Sequence, residues 1–400
     1  MVAMKRLLFV DHVNRILGGA EVNLVELVSD GGLERKHDYE LHCACPEKSP
    51  LQSALSNAPI RIHPYELPVA LNELRFVQRR LAPMNLLKGW LALRKAGEAL
   101  ALIAKTVQPD ILVSCTNKDH FAALRVARER RIPSVWWVND APRSEFFPWP
   151  ARVTFALKGR NRSANLVAVS DFVRRAVVAL GIPDNRITVI RNGVPTATLA
   201  TGVPNRFRDR FDIPHGEPLI GFLGRFTPWK GPQLFLELAE GWCRKHPNGR
   251  FVLVGQSFNE EQAFEMELRA RAENGTARGR IHFVPFQSPI ADVLASLDVL
   301  VHTSVKPEPF GRVIVEAMAA RVPVIAANSG GVPEIIRHGQ DGLLAIPGDA
   351  SSYLEQLQIL LLGSPDSRSL LAENGRQRVL ANFTIDRVAN DFRSLFNRLL

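Results

Sequence analysis

Glu308-Pro-Phe-Gly-Arg-Val-Ile-Val-Glu316-Ala-Met-Ala-Ala320 begins on a loop, passes a Phe-Gly turn and continues as a helical pattern. The apolar run at 299–301 before it predicts a buried strand. The first N–H groups of a helix lack partners and favour a phosphate, while carboxylates accept hydrogen bonds from ribose or sugar hydroxyls. Because Glu308 lies on the loop and Glu316 on the helix, both acids can face one pocket. The segment therefore predicts a strand-loop-helix unit that binds a ligand carrying phosphate and hydroxyl groups.

The same alternation of short apolar runs and helical patterns continues through the rest of the chain. Further strands are predicted at 7–10, 111–113, 134–138, 166–169, 189–190, 219–223, 251–254, 281–284 and 322–325. Such βα alternation is typical of parallel sheets with helices on both faces. A turn-rich stretch near 195–205 separates two such units. We therefore predict an α/β protein with two Rossmann-like domains, 1–197 and 198–380, facing a cleft, and a C-terminal helix at 381–400.

The composition is that of a soluble globular protein with a basic balance. The chain has 400 residues, 46% of them hydrophobic and 22% charged, and 50 Lys and Arg against 40 Asp and Glu give a net charge of +10. No apolar run approaches the roughly 18–20 residues that span a bilayer, and the four cysteines show no disulfide or zinc spacing. We expect a cytoplasmic protein without a metal site, and either an anionic partner or merely a basic surface.

Residues 74–97 concentrate part of this charge. The segment interleaves apolar residues with six cations and no acid, the cations being Arg75, Arg79, Arg80, Lys88, Arg94 and Lys95. A basic amphipathic segment can lie peripherally on an anionic membrane surface, and an ordinary helix with its apolar face inward shows the same pattern. No recognisable RNA or DNA motif accompanies the basic residues, so we expect no nucleic-acid partner.

Three further motifs follow predicted strands. In Gly224-Arg225-Phe-Thr-Pro-Trp-Lys230-Gly231, the two cations can clamp one diphosphate or simply lie on the surface. The glycines of Gly18-Gly19-Ala20-Glu21 allow a ligand to approach the backbone closely, and a plain tight turn explains them equally well. After Asn139, Asp140 can orient a substrate hydroxyl, accept a proton or cap a helix.

Together these motifs resemble the family 4 retaining glycosyltransferases, which have the GT-B fold. The order and spacing of the motifs match the family over most of the chain. The resemblance rests on Gly18-Gly19-Ala20-Glu21, Ser170-Asp171-Phe-Val-Arg-Arg, Asn192-Gly193-Val194, Gly224-Arg225 to Lys230-Gly231, Val254-Gly255, Glu308 to Met318, Pro323-Val324, Gly330-Gly331 with Glu334, and Asp341-Gly342-Leu343-Leu344.

The resemblance implies a site for a UDP- or GDP-sugar donor and no metal or other cofactor. Arg225 and Lys230 would bind the donor diphosphate, Glu316 the ribose hydroxyls and Glu308 the donor sugar. The backbone at the helix start would meet sugar and phosphate, and the glycine turn of the first domain would approach the diphosphate. These backbone positions are Phe310, Gly311, Arg312, Gly18 and Gly19. The resemblance also implies that the last helix crosses back to the first domain.

Two positions depart from the family pattern, and one of them is Arg321, which stands where a Gly is common. The family usually has a His where this chain has Asn139, and an Asn cannot titrate near neutral pH. The candidate catalytic set is Arg225, Lys230, Glu308, Asn139 and Asp140. The leading interpretation is a retaining hexosyltransferase acting on a glycan or lipid-linked glycan in cell-surface polysaccharide or glycoconjugate synthesis. The alternatives are a sugar-nucleotide epimerase or hydrolase on the same fold, and a catalytically weak nucleotide-sugar-binding scaffold.

Overall fold

The chain forms two compact units. The computed structural model describes residues 4–13, 17–29, 32–33, 39–67, 83–145, 147–258 and 261–400, with the backbone alone at 83–90. One unit comprises Met1–Gly193 together with Ile385–Leu400, and the other comprises Val194–Thr384. These divisions lie four residues from the boundaries expected from sequence (193 against 197, and 384 against 380).

The first unit is built on a parallel sheet. Seven strands belong to it in the described part of the chain, in the order β3-β2-β1-β4-β5-β6-β7. The strands are β1 Lys5–Val10, β2 Tyr39–Cys45, β3 Ile60–Pro64, β4 Ile111–Ser114, β5 Ser134–Val138, β6 Ala164–Ala168 and β7 Ile187–Val189. The helices between them are α1 Gly19–Val28, α2 Pro50–Ala54, α3 Pro83–Val107, α4 Asn117–Arg130, α5 Trp149–Gly159 and α6 Asp171–Val178. The strand order reverses beside β1, and ligands of such sheets bind at the carboxyl ends of the strands near this reversal.

The second unit repeats this plan. Its parallel sheet has the order β10-β9-β8-β11-β12-β13 among the described residues. The strands are β8 Leu219–Leu223, β9 Arg250–Val254, β10 Ile281–Val284, β11 Val299–His302, β12 Val324–Ala327 and β13 Leu343–Ala345. The helices are α7 Thr196–Leu199, α8 Arg206–Arg210, α9 Pro232–Cys243, α10 Gln262–Asn274, α11 Ala291–Ser296, α12 Arg312–Ala319, α13 Val332–Ile335, α14 Ala350–Leu362 and α15 Pro365–Asn382. The predicted α/β architecture with two Rossmann-like sheets is therefore confirmed.

The last helix, α16 Ile385–Leu399, packs on the first unit, as the resemblance implies. Phe392 is fully buried, and its ring contacts Trp137 of β5 at a centroid distance of 4.9 Å. Phe396 meets the edge of Tyr39 of β2 at 5.9 Å, and Arg393 donates a 2.6 Å hydrogen bond to the carbonyl of Gly32. The apolar face of α16 thus packs against residues of the first unit that are far away from it in sequence.

The predicted membrane segment at 74–97 falls largely outside the described residues. Residues 74–82 are not described, and neither are the side chains of 83–90. Of its cations, Arg94 forms a 3.0 Å ion pair with Glu98 on α3. None of the helices in the described ranges combines the length and the apolarity that a bilayer crossing requires. Membrane contact through 74–97 therefore stays a prediction.

A histidine in the core of the first unit is held uncharged. His120 of α4 is 1% exposed and stacks on Trp136 at 4.9 Å with an interplanar angle of 7°. A 2.8 Å hydrogen bond joins its Nδ1 to the hydroxyl of Ser114. Burial lowers the pKa of His120 to about 3.

We expect substitution of Phe392 to loosen the last helix. Phe392→Ala removes a fully buried ring and should lower the free energy of unfolding by about 3–5 kcal/mol, because large-to-small core changes leave a cavity. Urea unfolding followed by tryptophan fluorescence measures this change. Phe286→Ala is the matched control, since Phe286 is 55% exposed. Equal, small effects of both substitutions would contradict the packing role of α16.

We expect His120 to make the first unit less stable in acid. The unfolded chain takes up a proton on this side chain below about pH 6.5, whereas the folded chain takes it up only near pH 3. Between these values, each unit by which the pH is lowered should reduce the free energy of unfolding by about 1.4 kcal/mol through this group. His120→Phe keeps a ring in the stack and removes the titration. Urea unfolding at pH 7.5, 6.0 and 5.0 should show a shallower pH dependence for the variant, and parallel curves would disprove the assignment.

Candidate active site

Glu308 lies at the centre of a buried polar cluster in the second unit. It is 7% exposed, on the loop between β11 and α12. Its carboxylate accepts two hydrogen bonds from the ammonium of Lys230, at 3.0 Å and 2.7 Å. His302 Nε2 lies 3.2 Å from Oε2, and the hydroxyl of Ser304 donates to the same oxygen at 2.9 Å. The predicted residues Lys230 and Glu308 are therefore brought into direct contact.

The cluster keeps Glu308 ionised. Burial opposes ionisation, but the charge of Lys230 and the hydrogen bond from His302 outweigh it and hold the pKa of Glu308 well below its usual range. An ionised carboxylate only accepts hydrogen bonds, so His302 must carry its proton on Nε2. His302 and Ser304 were not among the predicted residues. The signal that could have found them is their position at the end of β11, six and four residues before Glu308.

Glycines allow the two loops to meet. Gly231 has φ of +75°, and a Cβ there would lie 2.0 Å from the carbonyl oxygen of Thr303. Gly330 has φ of +68°, and a Cβ there would lie 2.2 Å from the carbonyl oxygen of Glu308. The hydroxyl of Thr303 also donates a 2.8 Å hydrogen bond to the carbonyl of Gly231. Side chains at these positions would push apart the loops that carry Lys230 and Glu308.

The two predicted cations differ in their surroundings. Lys230 ends a short 3-10 turn, Pro228–Lys230, and its ammonium lies 4.2 Å from the centre of the Trp229 ring. Arg225 directly follows Gly224 at the carboxyl end of β8 and is exposed, with its guanidinium 5.8 Å from the centre of the Phe258 ring. Lys230 is thus fixed by its neighbours, while Arg225 presents its charge at the surface.

The start of α12 carries the remaining predicted donor residues. Phe310 is 4% exposed and packs against Phe383 at 5.9 Å, and Gly311 precedes the first residue of the helix. Arg312 donates from Nε to Glu316 at 2.6 Å, and their side chains are 13% and 12% exposed. Glu316, expected to hold ribose hydroxyls, is therefore oriented by the residue one turn before it.

The predicted residues of the first unit lie at the carboxyl edge of its sheet. The backbone N–H of Gly18 donates to Glu21 at 2.7 Å and caps α1, which begins at Gly19. Asn139 follows β5 and donates to the carbonyls of Cys115 and Trp137 at 3.3 Å and 3.2 Å. Its carbonyl oxygen is buried without a hydrogen bond to any described residue. Asp140 is exposed beside it.

A histidine-carboxylate pair, not predicted from the sequence, lies at the same edge. Asp119 accepts hydrogen bonds through one oxygen from His12 Nδ1 at 2.9 Å and from the hydroxyl of Thr116 at 2.7 Å. Among the described residues, the hydrogen bonds of the His12 ring both use Nδ1, and its side chain is 12% exposed. The signals for this pair are Asp11-His12 at the end of β1 and Thr116-x-x-Asp119 at the start of α4. These motifs are about a hundred residues apart in sequence.

The pKa values of the two acids beside His12 are shifted in opposite directions. Burial, with the nearby charges of Glu21 and Asp119, raises the pKa of Asp11 well above its usual value. Burial also opposes ionisation of Asp119, but His12 and Thr116 lower its pKa. Asp119 is thus the charged partner of His12, and Asp11 is the acid that tends to hold a proton. Within the described ranges, no group of three or more His, Cys, Asp or Glu residues is arranged to hold a metal ion.

Comparison with known proteins links both units to sugar transfer. The model of Glycosyltransferase Family 4 matches residues 17–198, and the model of Glycosyl transferases group 1 matches residues 204–378. Spore coat protein SA of Bacillus subtilis is 27% identical over 246 residues, which are 59% of this chain and 65% of that protein. The D-inositol 3-phosphate glycosyltransferase of Acidothermus cellulolyticus is 31% identical over 195 residues, which are 47% of this chain and 43% of that enzyme. The matches thus span less than two thirds of these relatives.

Solved structures agree with the fold. HepE of Anabaena, crystallised in complex with UDP-glucose, has a TM-score of 0.83 at 23% identity, over 98% of this chain and 100% of that chain. A glycosyltransferase of Rickettsia africae has a TM-score of 0.80 at 20% identity, over 99% of this chain and 98% of that chain. With the two family models matched in succession along most of its length, the chain belongs to the group 1 glycosyltransferases with a family 4 N-terminal domain.

Proposed function

We propose that the protein is a retaining, metal-independent hexosyltransferase. It takes the sugar from a UDP- or GDP-sugar and transfers it to a glycan or lipid-linked glycan in cell-surface polysaccharide or glycoconjugate synthesis, in the cytoplasm. The observation that carries the proposal is the buried contact between Lys230 and the ionised Glu308 at the carboxyl edge of the second sheet. The family membership and the UDP-glucose bound by HepE support a nucleotide-sugar donor.

The chemistry follows from charge. Breaking the anomeric bond leaves negative charge on the departing diphosphate, and fixed cations at that point lower the barrier. Lys230 has three N–H donors, and its contacts with the two oxygens of Glu308 leave one for a phosphate oxygen. Arg225 offers its planar guanidinium from the same loop as Lys230, after β8. Glu308 stays ionised and can accept a hydrogen bond from a hydroxyl of the sugar. Its negative charge also stabilises the positive charge that the sugar develops as the bond breaks.

We assign binding of the acceptor substrate to the first unit. Asp119 orients the ring of His12 through Nδ1, so Nε2 is available for a hydroxyl group. The carbonyl oxygen of Asn139 at the same sheet edge, which has no hydrogen bond to a described residue, can accept one from a substrate hydroxyl. Retention then follows if the acceptor attacks from the departing face and its proton passes to the leaving phosphate.

The second candidate, a weak nucleotide-sugar-binding scaffold, is favoured by one observation. Asn139 is a carboxamide and contributes no titratable group at this edge, and its N–H groups are bound to two backbone carbonyls. Asn139→His tests this candidate against the transferase. A scaffold should bind the donor with no turnover in the natural chain, and turnover should appear only in the variant.

Removing either cation should weaken donor binding. Arg225→Ala or Lys230→Ala loses charge-assisted hydrogen bonds of about 1.5–3 kcal/mol each, which corresponds to roughly a 10- to 100-fold rise in Kd. Calorimetric titration with UDP-glucose and with GDP-mannose measures the change. Arg278→Ala and Lys245→Ala, at exposed positions in the same unit, are the matched controls. Donor affinity that does not change in the Arg225 and Lys230 variants would sink the diphosphate assignment.

Neutralising Glu308 should affect turnover more than binding. In Glu308→Gln the amide cannot stabilise positive charge on the sugar, so we expect turnover to slow by about 10²–10³-fold. The donor Kd should change by less than about threefold, because Lys230 keeps its charge. Release of UDP or GDP over a panel of glycan acceptors measures turnover, with Glu355→Gln as an exposed control. If donor binding and turnover fell by the same factor, Glu308 would contribute to binding of the ground state and not to stabilising the transition state.

A further inference from the structure

Helix α5 of the first unit turns apolar side chains outward. Trp149, Val153 and Leu157 are 72%, 37% and 64% exposed. Their spacing of four residues places them on one face of the helix. The opposite face is anchored, since Phe155 is 1% exposed and its ring meets Trp136 at 5.4 Å. A surface helix ordinarily has the reverse arrangement, with its apolar side chains facing the core, so this outward stripe needs a partner.

The charged residues of the segment that contains α5 all have one sign. Between Glu145 and Asp171 the sequence contains four cations and no acid, the cations being Arg152, Lys158, Arg160 and Arg162. Lys158, Arg160 and Arg162 are exposed. Arg160 donates to the carbonyls of Gly181 and Leu180 at 2.9 Å and 3.0 Å, which fixes a positive charge near the end of the helix. An apolar stripe on a segment whose charged residues are all cations complements a surface that is apolar inside and anionic at its edge.

We propose that α5 docks the protein on an anionic membrane surface. The helix would lie flat, with Trp149 and Leu157 in the boundary between headgroups and acyl chains and the cations at lipid phosphates. Trp prefers this boundary because its ring is apolar while its N–H is polar. Three apolar side chains are far fewer than the roughly 20–30 residues that each partner contributes to a stable protein interface. The charge and the small size of the stripe therefore favour lipid over a second copy of the chain.

The experiment is co-sedimentation of the full chain with vesicles. One set contains equal parts of phosphatidylglycerol and phosphatidylcholine, and the other phosphatidylcholine alone. We expect the natural chain to bind the anionic vesicles, and Trp149→Ser/Leu157→Ser to lose at least about tenfold in partitioning, since apolar burial and charge attraction both contribute. Leu362→Ser/Leu370→Ser is the matched control, because both residues are exposed in the second unit at 61% and 62%. Lys158→Glu/Arg162→Glu should weaken binding to the anionic set.

Several outcomes would overturn the proposal. The natural chain could fail to bind anionic vesicles, or it could bind both vesicle sets equally. Full binding by the Trp149 and Leu157 double variant would place the contact elsewhere, as at 74–97. A change of sedimentation coefficient in the double variant without vesicles would identify the stripe as a protein interface instead. The inference does not depend on the transfer reaction. Calorimetric titration of the double variant with UDP-glucose should match the natural chain and shows that the donor site is intact.

Discussion

The contact between Lys230 and Glu308 is the interaction on which the candidate active site depends. A buried carboxylate that lost its cation would cost several kcal/mol, so the two loops must be held together whether or not a ligand is present. The glycines at 231 and 330 let the loops approach, and the hydrogen bond from Thr303 to Gly231 locks them. Because Glu308 remains ionised in this setting, the site needs no proton uptake or release before a sugar arrives. The positions of the other candidate donor residues, at the start of α12, follow from the same loop.

Much of this arrangement could be predicted from the sequence, because its motifs are local. Each candidate donor residue lies in the loop that follows a strand or in the first turns of the next helix, and a continuous apolar run marks a strand buried on both faces. Strands β2 and β3 were missed because Glu40, His42, Arg61 and His63 interrupt their apolar runs, and the three-residue β13 was missed as well. The pairing of His12 with Asp119 was also missed. The two residues are 107 positions apart, and only the adjacency of β1 and β4 brings them together.

The two sheet edges are chemically different although they share one architecture. The edge of the second unit brings the cation of Lys230 against the ionised Glu308, which suits a diphosphate and a sugar. The edge of the first unit holds buried acids, a histidine and an amide oxygen, which suit neutral hydroxyl groups. A parallel sheet positions residues at its carboxyl ends without specifying their chemistry, so the loops alone account for this division. The outward stripe on α5 adds a third surface, which belongs to a helix face and not to a strand end.

The return of α16 to the first unit has a consequence for the order of folding. During synthesis, residues 194–384 are translated before Phe392, which fills the core next to Trp137. Domains usually fold as they emerge from the ribosome, N-terminal domain first. Here the first unit cannot close its core until the whole second unit has been translated, so the second unit is free to reach its native state earlier. Until then the surface beneath α16 is exposed to water, and chaperones that recognise apolar side chains would find it on the nascent chain.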